Sequence, residues 1–449
     1  MAKFIPAHRD QPFLLPPDLR DWVPEDDLAH FVVEAVERVP MASFVVNERG
    51  TGSAQYPPRL MLALLVYCYA NGIFGSRRIE RATYRDLGVR YVAANLHPDH
   101  DTICSFRRNN LEAIGSAFEQ VLLMARELKL LRVGMVSVDG TKVDANASKR
   151  KSLRYERATQ LREQLQEEIA GLMDEAERAD GREALDEQSL PGDLKRRRQL
   201  KEKLDEACAT LERRARRRAE RERVEHERKL SEREKRPLNR RGPKPKPPSE
   251  EPEAKQQINL TDRDSGLMKK SRSSEWRQSY NAQAVVDACG SQLVLGARVS
   301  GCANDKRELV ADVDSVPRSV GTIERALADN GYASGSEVRA VEDRGIDVLV
   351  STRKEGRRRQ HDFRPETPEK PHKEPQSEWV RKMQEKMSQE DNRKRYSLRQ
   401  QTVEPVFGIV KQVLGFRQFH LRGLTKVDGE WKLVMLAYNC KRLHNLMAA

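Results

Sequence analysis

The sequence is poor in cysteine and has no long apolar run. Its six cysteines are scattered over 449 residues without a Cys-x-x-Cys pair. This scarcity excludes a disulfide-dense scaffold and the common zinc-site spacings, and it favours a reducing compartment. The longest apolar segment, Leu60 to Ala70, is too short to span a bilayer, and the N-terminus lacks the apolar core of a signal peptide. We therefore expect a cytoplasmic protein without membrane contact.

Acidic residues are outnumbered by basic ones. The chain has 69 Asp and Glu against 82 Lys and Arg, which leaves a net charge of +13. A basic surplus favours a polyanionic partner, because each phosphate neutralised by Lys or Arg releases condensed counterions. A solvated basic surface accounts for the same surplus, so charge alone does not decide between them. At this length the chain exceeds the size of a single hydrophobic core, and two or more structural units are expected.

Residues 1–130 have the periodicity of short helices. Apolar residues recur at helical spacing over 28–36, and an apolar helix is predicted at Arg59–Ala70. Later helices in this region are rich in arginine, and Arg107 and Arg108 are candidate DNA contacts. The pattern is typical of a helix-turn-helix-like module for DNA binding or dimerisation, although small helical bundles of any purpose look similar.

Two long helices and a linker are predicted in the middle of the chain. Leucines recur at helical spacing over 148–236, which indicates an antiparallel coiled-coil hairpin. Within it, the Arg- and Glu-rich run Arg213–Arg223 favours a salt-bridged, solvated helix face over direct DNA contact. Residues 237–256 are rich in Pro and Lys and predict a stiff linker. Sheet-like sequence follows over 257–449, interrupted by a basic loop at 353–395.

Three acidic residues stand where rigid elements could present them. The apolar β-rich run 133–138 ends on Asp139, with Gly140 read as a turn, and a second short run ends on Asp329. Glu404 lies in a helical region predicted to start near residue 397. Two-metal phosphoryl transfer needs acidic side chains that converge on the ions. An aspartate before glycine is nevertheless far more often a turn former, so spacing alone does not establish such a site.

Four motifs, in this order, resemble those of the DDE transposases of bacterial insertion sequences, in the branch named for a Y-R-E-K signature. They are Ser137-Val138-Asp139-Gly140-Thr141-Lys142; Tyr280-Asn281-Ala282-Gln283-Ala284-Val285-Val286-Asp287; Ala328-Asp329-Asn330-Gly331-Tyr332; and Tyr396 with Arg399, Glu404 and Lys411. The signature usually has three residues between its Arg and Glu, whereas four separate Arg399 from Glu404. On a helix the extra residue rotates Arg399 by about 100°.

The resemblance implies an α/β fold with a ribonuclease-H-like mixed sheet flanked by helices, whose first part is residues 131–147. It implies that Asp139, Asp329 and Glu404 bind two Mg²⁺ ions, for which Mn²⁺ can substitute. The implied substrates are double-stranded DNA of the element's terminal inverted repeats and of the target, held by a homodimer near the bacterial nucleoid. The implied DNA contacts are Lys411, Arg399, Tyr396 and Lys142.

Two other functions fit parts of the sequence. A ribonuclease-H-like nuclease would cut DNA without joining it, and a non-catalytic DNA-binding protein would need none of the three acids. The intact carboxylates argue against the second alternative, and the extended N-terminal helical region argues against the first. Trp276 and Trp379 could stack on bases or pack in the core, and Asp287 is read as a structural turn residue.

Overall fold

In the computed structural model, residues 18–46, 54–179, 190–235, 244–270, 273–352 and 377–448 are described. The described part of the predicted N-terminal module is helical. Its helices are α1 (Leu28–Glu37), α2 (Pro58–Ala70), α3 (Ser76–Arg85), α4 (Leu87–Val92), α5 (His100–Asn109) and α6 (Leu111–Glu127). Aspartates begin three of them: the side chains of Asp27, Asp86 and Asp99 accept hydrogen bonds from backbone N–H groups in the first turns of α1, α4 and α5.

Strands from both sides of the helical insertion form the central sheet. The elements in chain order are β1 (Met135–Asp144), β2 (Ser152–Arg154), α7 (Tyr155–Ala179), α8 (Leu190–Glu234), β3 (Gln257–Asn259), β4 (Gly266–Lys269), β5 (Trp276–Asp287), β6 (Val294–Ser300), α9 (Leu309–Asp314), β7 (Arg325–Ala328), α10 (Gly335–Glu342), β8 (Asp347–Val350), α11 (Glu378–Ser388), α12 (Glu390–Gly408) and α13 (Leu424–Ala448). The strand order is β4-β5-β1-β7-β8, with β6 also paired to β5.

The sheet is mixed. β1 pairs antiparallel with β5 and parallel with β7, and β7 pairs parallel with β8. Parallel neighbours need crossover connections. The connection from β7 to β8 runs through α10, and the one from β1 to β7 contains the helical insertion, the strands β2–β6 and α9. A mixed sheet flanked by helices fits the ribonuclease-H-like expectation.

The N-terminal helices and the sheet share one hydrophobic core. Helix α13 packs against α2, α6 and β6. Its Trp431 is fully buried, and the indole N–H donates to the backbone oxygen of Gln283 in β5 at 2.8 Å. The helices before residue 130 and the sheet after it therefore pack together without a gap at the predicted boundary.

Arg107 lies inside this core and corrects one prediction. Its guanidinium is buried and donates to the hydroxyl of Tyr69 at 2.7 Å and to the backbone oxygen of Phe74 at 3.0 Å. The carboxylate of Glu430 lies 3.9 Å away and balances the charge. Arg107 therefore stabilises the helical packing, and the predicted DNA contact by this side chain is wrong.

Helices α7 and α8 run antiparallel and contact each other along their length. The hydroxyl of Tyr155, at the start of α7, donates to Glu212 at 3.1 Å, while Glu168 accepts from Arg197 at 2.9 Å. Leu165, with Leu204 and Cys208 of α8, forms a small buried seam between the two helices. Supercoiling of this pair stays a prediction.

The region predicted as a basic loop at 353–395 is partly helical, and that prediction is wrong for α11 and the start of α12. Ion pairs four residues apart stabilise both helices: Lys382 with Glu378 at 2.9 Å, and Lys394 with Glu390 at 2.8 Å. Residues 353–376 lie outside the described residues. The described part of the predicted linker, 244–256, has neither helix nor strand. Among the described helices, none has the length and apolar character needed to cross a membrane.

Candidate active site

Asp139 lies in the middle of β1, five residues before its last residue, and not at a strand end as predicted. The parallel neighbour β7 ends at Ala328, which pairs with Val138, while β1 continues beside β5. Gly140 is therefore a strand residue. A Cβ there would meet the side-chain amide of Gln283 at 2.5 Å and Asp305 at 2.7 Å, so glycine is required by close packing and not by a turn.

Asp329 is the first residue after β7, as predicted. Its carboxylate accepts a hydrogen bond from the backbone N–H of Gly331 at 2.7 Å and caps the short 3-10 helix Asn330–Tyr332. The side-chain amide of Asn330 donates to the backbone oxygen of Ser351 at 3.0 Å. Tyr332 is fully buried, and its hydroxyl donates to Gln283 on β5. These bonds fix the turn that carries Asp329 to the end of β7.

Helix α12 brings Glu404 to the sheet. The hydroxyl of Thr402 donates to that of Ser137 at 2.6 Å, and both residues are buried. Because side chains alternate along a strand, Ser137, Asp139 and Thr141 share the face of β1 that α12 covers. The Glu404 side chain is 53% exposed at this face.

A single π-helical turn, Ile409–Val413, continues α12 and carries Lys411. The amine of Lys411 donates to the hydroxyl of Thr141 and to the backbone oxygen of Lys142, the latter at 3.1 Å. Lys411 therefore lies on the Asp139 face of β1. Lys142 lies on the opposite face by strand alternation.

Arg399 bridges two of the predicted acids. Its guanidinium nitrogens lie 3.5 Å from a carboxylate oxygen of Asp139 and 3.4 Å from one of Glu404. The extra residue between Arg399 and Glu404 therefore does not turn the arginine away from the site. Only 8% of Arg399 is exposed, so from this bridging position the side chain contacts the two acids and does not make the predicted contact with a DNA backbone.

Tyr396 is also buried and joins α12 to the sheet. Its hydroxyl donates to the backbone oxygen of Ala328, the last residue of β7, at 3.2 Å. The guanidinium of Arg399 lies 6.0 Å from the centre of its ring. Tyr396 thus positions the helix beside Asp329, which corrects its predicted DNA contact.

The environment of Asp139 disfavours its negative charge. Burial, followed by the charge of Asp329, raises the pKa of Asp139 to about 7, although Arg399 acts in the opposite direction. Burial also raises the pKa of Asp329. Burial lowers the pKa of Lys411 to about 8 and lowers that of Lys142. A cation placed between the two aspartates would relieve this electrostatic cost.

The donor chemistry suits Mg²⁺, which prefers carboxylate oxygens. Within the described ranges, no three His, Cys, Asp or Glu side chains lie close enough together to hold a metal ion. Asp139 and Glu404 are instead connected through the guanidinium of Arg399. The Glu404 side chain is half-exposed, so it can change rotamer without repacking the core.

A fourth acid near the site, Asp305, was missed by sequence reasoning. It accepts hydrogen bonds from the side-chain amides of Asn281 at 2.6 Å and Gln283 at 2.8 Å. These two residues share a face of β5 with Gly140 of β1, opposite to the Asp139 face. Two buried amides alternating along an apolar strand need a polar partner, and this was the signal that could have indicated the acid.

The remaining residues singled out by the sequence lie outside this site. Arg108 is exposed near the end of α5. Trp276 is exposed, with the amine of Lys269 5.4 Å from its ring centre, whereas Trp379 packs closely on Gly335. Asp287 is buried and accepts hydrogen bonds from the backbone and side chain of Ser291, which confirms its structural role in the turn.

Comparison with known families agrees with this architecture. A model described as "Transposase DDE domain" matches residues 241–440, which include Asp329 and Glu404. A second, described as "Transposase domain (DUF772)", matches residues 17–109, the N-terminal helices. Asp139 lies between the two matches. No curated protein and no solved structure matches the chain at a significant level. The chain belongs to the DDE transposases of insertion sequences.

Proposed function

We propose that the protein cleaves DNA at the ends of an insertion sequence and joins the freed 3′-hydroxyl to target DNA. The observation that carries this proposal is the position of α12. It brings Glu404 to the face of β1 that holds Asp139, beside Asp329 at the end of β7. The members of the family act on DNA, and the basic surplus of the chain suits that substrate.

Asp139, Asp329 and Glu404 would hold two Mg²⁺ ions, with Mn²⁺ as a substitute. When bound, the ions activate the attacking oxygen and stabilise the leaving oxygen. The chain supplies rigid supports for the carboxylates: β1 for Asp139 and the capped turn after β7 for Asp329. Arg399 leaves its bridging position when Glu404 joins the other two acids.

The chemistry comprises two displacements at phosphorus. In the first, a water oxygen bonds to phosphorus at the element's end as the bond to the 3′-oxygen breaks, which leaves a 3′-hydroxyl. In the second, that hydroxyl oxygen attacks a target phosphate, the target's 3′-oxygen leaves, and the hydroxyl proton passes to solvent. One site serves both displacements because each exchanges one oxygen on phosphorus for another.

Three cations of the predicted DNA contacts remain candidates. Lys411 lies on the Asp139 face and would meet the phosphates nearest the site, while Arg108 and Lys142 would meet phosphates farther away. The N-terminal helices would recognise the terminal repeats, and a homodimer would hold the two ends together. Assignment to the Y-R-E-K branch remains part of this proposal, supported by the positions of Tyr396, Arg399, Glu404 and Lys411 around one site.

The test uses purified protein, duplexes copied from the DNA that flanks the coding frame, a supercoiled target plasmid and Mg²⁺. We expect cleavage at the ends of inverted repeats and covalent joining of those ends to the plasmid. Cleavage without joining would favour the nuclease alternative. Specific binding without cleavage would favour the non-catalytic alternative.

A further inference from the structure

The second half of α8 packs one face onto the chain segment 244–264. Ala207, Leu211, Ala215 and Ala219 recur every four residues and are buried. Leu211 shares a buried cluster with Ile258 of β3. This spacing places a single narrow row of side chains, the seam, against the segment 244–264.

Arginines beside the seam are paired with acids. Arg214 donates to Asp264 at 2.8 Å, Arg218 lies 3.6 Å from Glu253, and Arg223 pairs with Glu250. All three acids belong to the segment 244–264, which the seam covers. These arginines therefore hold the helix in place.

The opposite side of the helix carries a second set of arginines, which we call the arginine stripe: Arg213, Arg216, Arg217 and Arg221. All four are exposed. Arg213 donates to the hydroxyl of Thr210 at 3.3 Å. Across the part of the chain that the structure describes, no member has a carboxylate within 4.0 Å. The arginines of the first set are paired with carboxylates within the fold. Those of the arginine stripe are exposed and can interact with solvent or a ligand.

We propose that the arginine stripe binds the phosphate backbone of double-stranded DNA. From Arg213 to Arg221 the helix rises about 12 Å. That length of duplex carries about seven phosphates on its two strands, and roughly half of them face a protein on one side. Four arginines match this number. The proposal takes its partner from the proposed function, and it replaces the expected salt-bridged, solvated face with two separate sets of arginines.

The contact is independent of base sequence. Arginine binds phosphate oxygens through two parallel N–H groups, and such contacts orient a protein on DNA without reading bases. The stripe would hold DNA beyond the terminal repeats, which the N-terminal helices are proposed to recognise. Loss of the stripe should therefore weaken binding to any duplex of sufficient length.

The test compares two full-length variants by fluorescence anisotropy with a labelled random-sequence duplex at several salt concentrations. The stripe variant is Arg213→Gln, Arg216→Gln, Arg217→Gln and Arg221→Gln. The control removes the same charge from exposed positions in the first half of α8: Lys195→Gln, Arg196→Gln, Arg198→Gln and Lys203→Gln. The logarithm of the affinity falls linearly with the logarithm of the salt concentration, and each lost phosphate contact makes this slope less steep by about 0.9.

We expect the magnitude of the slope to fall by up to about 3.6 in the stripe variant and by less than about 1 in the control. A version with the same four arginines changed to lysine should keep the wild-type slope. Equal slopes for stripe and control variants would overturn the proposal and leave a solvated face. Unchanged slopes with loss of a dimer, measured by light scattering, would also overturn it and indicate a protein interface.

The measurement is made in EDTA, so it does not depend on catalysis. The Asp139→Asn variant should keep the wild-type slope even though it cannot cleave. A protein that cleaves and joins DNA but shows no stripe effect would leave the proposed function standing and remove only the stripe.

Discussion

Replacing Asp139 with asparagine should stabilise the metal-free protein at pH 8 while abolishing DNA cleavage. Asp139 is held next to Asp329 in a largely buried position on β1, and its pKa is raised from 3.8 to about 7. Its carboxylate is therefore charged at pH 8 in surroundings that oppose the charge. Asparagine has nearly the same shape and carries no charge.

The magnitude follows from the pKa. A tenfold change in proton affinity corresponds to about 1.4 kcal/mol, so the ionised carboxylate is disfavoured in the folded protein by up to about 4 kcal/mol. The folded state binds this proton more tightly than the unfolded chain between pH 4 and 7. The free energy of unfolding therefore decreases as pH rises through that window. The decrease is complete once the pH exceeds the pKa of Asp139 in the folded protein. We expect Asp139→Asn to gain about 2–4 kcal/mol at pH 8 and almost nothing below pH 4.

Thermal unfolding in EDTA at several pH values measures this effect. For a chain of this length, about 2–4 kcal/mol corresponds to a rise in Tm of roughly 2–4 °C. Asp144→Asn is the matched control on the same strand. Asp144 pairs with Lys270 at 2.9 Å and Arg277 at 3.3 Å, so its loss should destabilise the protein at pH 8. A lower Tm for Asp139→Asn at pH 8, or a gain that does not change with pH, would refute the reasoning.

Three further predictions concern the same region. Arg399→Gln should destabilise the metal-free protein by about 2–4 kcal/mol, because it leaves the buried charge of Asp139 unpaired. Mg²⁺ should therefore raise the Tm of this variant more than that of the wild type. Equal effects of Mg²⁺ on the two proteins would contradict the bridging role. Gly140→Ala should cost about 1–3 kcal/mol in chemical denaturation, because its Cβ would meet the side chains of Gln283 and Asp305. Gly171→Ala has open space and should not destabilise the protein; a neutral Gly140→Ala would contradict the packing. The pKa of Lys411 is about 8, so its charge is lost as pH rises through that value. The DNA affinity of the wild type should therefore fall between pH 7 and 9 more than that of Lys411→Met. An equal fall in affinity for both proteins would exclude a contact between Lys411 and DNA.

The sheet and the position of Asp329 were predictable because their signals are local. The apolar run before Asp329 and the following Asn-Gly are read directly from the sequence. The sequence predicts Asp139 at a strand end because Gly140, a typical turn residue, follows it. The strand in fact continues because it pairs with β5 as far as Asp144. Glycine stands at 140 because a Cβ would meet Gln283 and Asp305, which are distant in sequence.

Other errors have the same origin. Because arginine is seldom buried, the sequence predicts Arg107 as a DNA contact, whereas Glu430, more than 300 residues later, balances its charge in the core. The polar sequence of α11 predicts a loop, whereas Trp379 anchors the helix on Gly335. Each of these features depends on a partner that only the tertiary fold identifies.

The central claim is that Asp139, Asp329 and Glu404 together form the metal-dependent active site. Single-turnover cleavage of element-end DNA in Mg²⁺ tests it most directly, with Asp139→Asn, Asp329→Asn and Glu404→Gln compared against the surface control Asp314→Asn. We predict that each of the three variants loses cleavage by about a thousandfold or more while still binding the DNA, and that the control cleaves like the wild type. Cleavage near the wild-type rate by any of the three would contradict the account.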